Sequence, residues 1–158
     1  MSSLYNLHKL CIAKGVSVAV AESCTSGIIA SKLTTLSGSS SYFKGGIVAY
    51  QNEIKTKFLA VSQSIIDEKT EVSSDVVIQM AKSILEKFNT DFSIATSGYA
   101  GPNGGTNKNP IGTVFIAIAS EVDVAVSCFI FSGNRQSIVN QASESALSLL
   151  LTEIKKQY

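Results

Sequence analysis

Leu4, Leu7, Leu10 and Cys11 recur at helical spacing and Gly15 offers a stop, so residues 3–14 read as an amphipathic helix. Val16 to Ala21 is a short valine-rich run suited to a buried strand. It leads into Glu22-Ser23-Cys24-Thr25-Ser26-Gly27 and then an apolar-periodic helix reaching about Leu36. Ser37 to Lys44 reads as a loop of small residues. Ile47 to Tyr50 is strand-like, and Asn52 suits the N-cap of a helix carrying Lys55 and Phe58. A helical turn over 64–69 follows, then a helix capped by Ser73 or Ser74 that runs to about Phe88.

Phe92 to Thr96 reads as a third buried strand, followed by the long loop SGYAGPNGGTNKNPIG. Thr113 to Ser120 and Val124 to Phe131 are strongly apolar, and the short Glu121–Asp123 link predicts a hairpin. Gly133-Asn134 opens a final helix with Ile138, Ala142, Ala146, Leu149 and Leu150 along one stripe. This order predicts an α/β fold, a three-layer α/β/α sandwich on a mixed, mostly parallel sheet. Residues 1–158 would form a single domain, with function in the loops at the strand ends.

Composition narrows the chemistry. The chain is 45% hydrophobic and 16% charged, with a formal charge of +1. That balance offers no electrostatic footprint for nucleic acid or an anionic membrane. No apolar run approaches the ~20 residues that span a bilayer. Cys11, Cys24 and Cys128 form no C-x-x-C pair, and the opening MSSLYNLHKLCIAKG is unlike a secretory signal. The expectation is a soluble, cytoplasmic protein with reduced thiols. Twelve lysines stand against one arginine, Arg135, and one histidine, His8. A single histidine rules out a multi-histidine metal centre and leaves a Ser-His-Asp triad dependent on His8 alone. Acid–base chemistry here falls to Lys, Tyr or a carboxylate.

Stock motifs fail: there is no G-x-G-x-x-G after a strand, no Walker A loop and no G-x-S-x-G elbow. Ser41-Tyr-Phe-Lys44 is a literal S-x-x-K, but its S-D-N and K-T-G partners are absent. Three segments survive. In AESCTSG (21–27), polar residues stand where a buried strand meets a helix. Unpaired N–H groups there suit an anion, and the same residues also suit a plain helix cap. In GIVAYQNEIK (46–55), Tyr50 ends a strand and Lys55 lies in a first helical turn, against the dipole. A solvated surface lysine is the alternative. In SGYAGPNGG (97–105), glycines permit close backbone approach to a ligand, and the alternative is an irregular surface loop. Arg135, at a helix start, is placed for a phosphate or for a rim salt bridge.

Together these stretches resemble the CinA C-terminal domain family, the nicotinamide-nucleotide amidases. The matching segments are AESCTSG, GSSSYFKGGIVAYQNEIK, EVS, SGYAGPNGG, PIGTVFIAIA and SGNR, in family order along nearly the whole chain. The resemblance implies hydrolysis of nicotinamide mononucleotide to nicotinate mononucleotide and ammonia. It implies Ser23 as nucleophile, Lys55 as its base and Tyr50 in the catalytic group. Thr25, Ser26, Gly27, Gly46, Ser97, Gly98, Gly101, Gly104 and Arg135 are the substrate-binding candidates. No metal or organic cofactor is required. The expected partner is a small-molecule nucleotide, with no nucleic acid and no membrane, and homo-oligomerisation stays open.

Four positions depart from the family pattern. Ser26 stands where glycine is usual, Tyr99 replaces a small aliphatic residue, and Val139 and Asn140 stand where further arginine is often found. These changes motivate a second reading, a non-catalytic nucleotide- or phosphate-binding module of the same fold. The biological setting, pyridine-nucleotide recycling or a competence-linked role, is left open by the sequence.

Overall fold

Leu7 and Cys11 bury the inner face of the first helix, α1 (Ser3–Lys14), which Gly15 ends in the left-handed region at φ 63°. A computed structural model describes residues 2–158. In it α1 is followed by β1 (Val18–Glu22), α2 (Ile28–Leu33) and β2 (Phe43–Val48). Three helices come next, α3 (Asn52–Leu59), α4 (Gln63–Lys69) and α5 (Ser74–Phe88). Then come β3 (Phe92–Gly98), β4 (Thr113–Ser120), β5 (Val124–Ile130) and α6 (Arg135–Gln157). Ser73 caps α5 by accepting from the Val76 N–H, and Asn134 caps α6 by accepting from Ser137.

The five strands lie in the order β2-β1-β3-β4-β5. β1 runs parallel to both β2 and β3, while β4 is antiparallel to β3 and to β5. Four strands therefore point one way and only β4 opposes them. Alternation along the strands sorts the core. Val18 and Val20 of β1, with Ile94, Ile116 and Ile118, pack beneath α1, α2 and α6. Ala19 and Ala21, with Ala95, Ala117 and Ala119, face Val77, Met80, Ala81 and Ile84 of α5. The α/β/α sandwich follows from this two-sided burial.

Several boundaries differ from the sequence expectation. β2 starts at Phe43, not Ile47, and ends at Val48, so Tyr50 lies beyond it. Glycines in this run look like loop, yet a Cβ on Gly46 would collide with the carbonyl and side chain of Val20 across the β1 pairing. α2 stops at Leu33, short of Leu36, where the Thr34 and Thr35 hydroxyls turn back onto carbonyls of Ala30 and Ser31. Gln51, not Asn52, is the N-cap position of α3. On α6, Leu147 is buried and Leu149 only partly so.

The topology places the site. From β1 the chain crosses through α2 to β2 on one side, and from β2 through α3–α5 to β3 on the other. The two crossovers cover opposite faces, so a crevice opens beyond the carboxyl ends of β1 and β3.

Candidate active site

Ser23 is the first residue past β1, and its N–H donates to the Thr96 carbonyl of β3 (3.1 Å). That bond ties the serine to the strand end, leaving it 7% exposed. A cleft of about 370 Å³ opens there. It brings together Ser23, Tyr50, Lys55, Ser97, Gly98, Gly101 and Arg135, which come from four separate stretches of chain.

Lys55, in the first turn of α3, is 1% exposed. Burial lowers its pKa from the usual 10.5, while the charge of Glu71 pulls it back up. Desolvation is the leading cause, where position alone pointed to the helix start. The Lys55 Nζ donates to the Tyr50 carbonyl (3.3 Å) and not to the Ser23 hydroxyl. The Tyr50 side chain reaches outward, 53% exposed, and its hydroxyl accepts from Arg135 Nη2 at 2.6 Å. Arg135 Nη1 donates to the Gly101 carbonyl, also at 2.6 Å. The lone arginine therefore ties the start of α6 to two walls of the cleft.

Five of the sequence candidates lie outside the lining. Thr25 is fully buried, and its hydroxyl is 2.8 Å from that of Thr96. Ser26 and Gly27 have φ of 46° and 98°, turning the chain between Ser23 and α2. Ser26 is exposed there, and its left-handed backbone is the conformation in which glycine is unstrained. Gly46 is held inside the sheet by strand approach. Gly104 lies against the Tyr99 ring, where an added Cβ would sit 3.4 Å away.

The start of α2 is also occupied. Glu22, fully buried, accepts from the N–H groups of Ile29 (2.9 Å) and Ala30 (3.0 Å). The first turn of that helix is thus closed to an incoming anion. Glu22 continues the parity of Val18 and Val20, so it faces the α2 layer. The N–H groups of Cys24 and Thr25 meet no protein oxygen among the described residues.

The cleft also holds residues that sequence reasoning left without a role. Cys24 lines it beside Ser23, and burial pushes its thiol up to about 12, so it stays protonated. Asn52 and Asn103 add amides. Glu71, in the segment between α4 and α5, contributes the lone carboxylate of the lining, and its carbonyl accepts from Ser97 Oγ (2.7 Å). A carboxylate in a connecting segment has no periodicity to flag it. Among the described residues no three His, Cys, Asp or Glu side chains cluster as metal ligands. None of the described helices is long and apolar enough to cross a membrane.

This geometry can be set beside known proteins. The model of the CinA C-terminal domain matches residues 2–154. The chain belongs to the CinA C-terminal domain family. A CinA-like protein of Flavobacterium psychrophilum is 45% identical over 152 residues, covering 96% of this chain and 36% of that protein. One from Desulfotalea psychrophila is 43% identical over 139 residues, covering 88% and 34%. The chain thus spans about a third of the length of these curated relatives. The crystal structure of a competence-damaged protein (CinA) superfamily protein from Klebsiella pneumoniae superposes with a TM-score of 0.94 at 30% identity. That match covers 98% of this chain and 96% of the other. An Escherichia coli member gives a TM-score of 0.90 at 32% identity, covering 95% and 88%. Within this CinA-type fold the cleft occupies the switch point of the sheet, where the crossovers diverge.

Proposed function

We propose that the cleft is the active site of an amidohydrolase converting nicotinamide mononucleotide to nicotinate mononucleotide and ammonia. The observation that carries this reading is a buried lysine, depressed in pKa, opening on the same cleft as a serine at the end of β1. A serine hydroxyl is a weak nucleophile until a base takes its proton, and a neutral lysine is such a base. Burial favours the neutral form.

In the forward reaction Lys55 accepts the Ser23 proton as Oγ attacks the carboxamide carbon. The N–H of Cys24, beside Ser23 in the lining, is the donor left for the oxyanion, contributing about 3–4 kcal/mol in a typical case. Collapse breaks the C–N bond, the proton held by Lys55 passes to the leaving nitrogen, and ammonia departs. Water, deprotonated by the same amine, then hydrolyses the ester and restores Ser23. Arg135, steadied by Tyr50 and Gly101, takes the phosphate, and Gly98 and Gly101 let the backbone approach the ribose. We assign residues 1–158 to one amidase domain. The free cysteines fit a reducing compartment, and we place the protein in the cytoplasm.

The test is release of ammonia and acid from nicotinamide mononucleotide by purified protein, with Ser23→Ala as control. No turnover by folded protein overturns the reading, whereas full activity in Ser23→Ala removes Ser23 as the nucleophile and leaves the amidase reading standing. One observation favours the binding-module alternative: the Lys55 amine is bonded to the Tyr50 carbonyl rather than to Ser23. That alternative predicts nucleotide-dependent thermal stabilisation without product.

A further inference from the structure

Three charged side chains line the cleft, Lys55, Glu71 and Arg135, and they differ in kind. Lys55 is desolvated, which works against its charge. Arg135 presents a planar guanidinium fork that suits a phosphate. Glu71 is half-buried on a different connection, and the main chain around it is fixed at two points. Its own carbonyl accepts from Ser97 Oγ (2.7 Å), and the next carbonyl, Val72, accepts from Asn109 Nδ2 (3.1 Å).

Neither Lys55 nor Arg135 forms an ion pair with Glu71. Among the described residues the ion pairs are Lys32–Glu144, Lys69–Asp75 and Lys156–Glu153, all elsewhere. The cleft therefore holds a carboxylate and a guanidinium that do not neutralise each other. Lys55 feels the Glu71 charge across the cleft but makes no contact with the carboxylate, so a cationic ligand group can take the direct contact that no side chain makes. A ligand suited to both walls carries a negative group for Arg135 and a positive one for Glu71.

We propose that the Glu71 carboxylate selects nucleotides whose pyridine ring carries a fixed positive charge. This rests on the amidase reading above and adds a specificity residue to it. An N-ribosylated pyridinium is cationic, whereas its reduced dihydropyridine form has the same size and phosphate but no ring charge. Glu71 would separate the two, because the difference between them is the charge it faces.

The experiment is calorimetric titration of Ser23→Ala protein, which forms no acyl-enzyme, with oxidised and with reduced nicotinamide mononucleotide. The oxidised form should bind more tightly. Adding Glu71→Gln should raise its Kd about tenfold, equivalent to about 1.4 kcal/mol, and shift the reduced form by less than about twofold. Glu71→Asp should keep the preference, which a merely structural role would not require. Equal losses for both ligands, no change for either, or no binding of either would overturn the proposal. Ammonia release by the wild-type protein, measured alongside, keeps the two readings apart. A charge preference without ammonia overturns the amidase reading and leaves charge selection standing.

Discussion

Arg135 Nη2 donates a 2.6 Å hydrogen bond to the hydroxyl of Tyr50, joining the first residue of α6 to the segment after β2. The same guanidinium holds the Gly101 carbonyl, so one side chain spans two walls of the cleft. Lysine offers a point charge without the planar fork and cannot reproduce both bonds. If the phosphate is bound equally in ground and transition states, Arg135→Lys should raise KM with little change in kcat. Loss of a charged hydrogen bond of about 1.5–3 kcal/mol sets the expected rise at roughly 10- to 100-fold. Steady-state ammonia release against nucleotide concentration reads this directly. Tyr50→Phe and Arg135→Lys share one hydrogen bond, so their effects on KM should not add in the double variant.

Gly46 separates a structural role from a binding one. It pairs with Val20 in the β1–β2 ladder, and a Cβ there would meet the Val20 carbonyl and side chain. Gly46→Ala should therefore destabilise the fold by about 1–3 kcal/mol, the usual cost of overpacking. For a chain of this length that corresponds to roughly 2–12 °C in Tm. KM, measured well below the new Tm, should stay near the wild-type value. A raised KM at unchanged Tm would return Gly46 to the substrate site.

Glu22 caps the short helix α2 through the N–H groups of Ile29 and Ala30. Glu22→Ala removes a buried charged acceptor and leaves two donors without it. A loss of about 2–3 kcal/mol is expected, read from the denaturant midpoint. Glu22→Gln keeps one acceptor oxygen and should fall between the two. A midpoint unchanged in Glu22→Ala would mean that water satisfies the helix start, reopening it as an anion site.

Much of this architecture is written locally in the chain. The alternation Val18-Ala19-Val20-Ala21 gives a strand buried on both faces, and Ser73 and Asn134 mark helix starts through their own side-chain caps. Ser23, Lys55 and Arg135 stand out because they punctuate such elements. What sequence hid depends on partners distant along the chain. The lower bound of β2 rests on Val20 pressing against Gly46, and the closed start of α2 rests on Glu22 reaching residues seven and eight places later. Glu71 sits at the cleft with its carbonyl held by Ser97, 26 positions away. Gly27 and Gly104 are legible as permissive backbone, but positive φ alone does not distinguish a turn from a binding loop, and the positive φ of Ser26 has no residue-type signal.

Lys55 links pH to both activity and stability, and the signs can be worked out. The base is needed neutral, so kcat/KM should rise with pH through the folded-state pKa, with a midpoint below 10.5. Glu71 raises that pKa, so Glu71→Gln should move the rising limb to lower pH. For stability, the unfolded chain keeps the lysine proton up to about 10.5, whereas the folded chain releases it earlier. Between the folded pKa and 10.5 the unfolded state binds more protons, so this group's contribution to stability rises with pH. Below the folded pKa its penalty is complete and constant. Lys55→Met, similar in volume and uncharged, should abolish ammonia release and raise Tm at low and neutral pH. That advantage should shrink as pH climbs from the folded-state pKa toward about 10.5. Thermal melts of both proteins across this range give the difference curve. A Tm difference that stays flat with pH would show that Lys55 is not desolvated as the structure has it, and would remove the basis for a neutral amine beside Ser23.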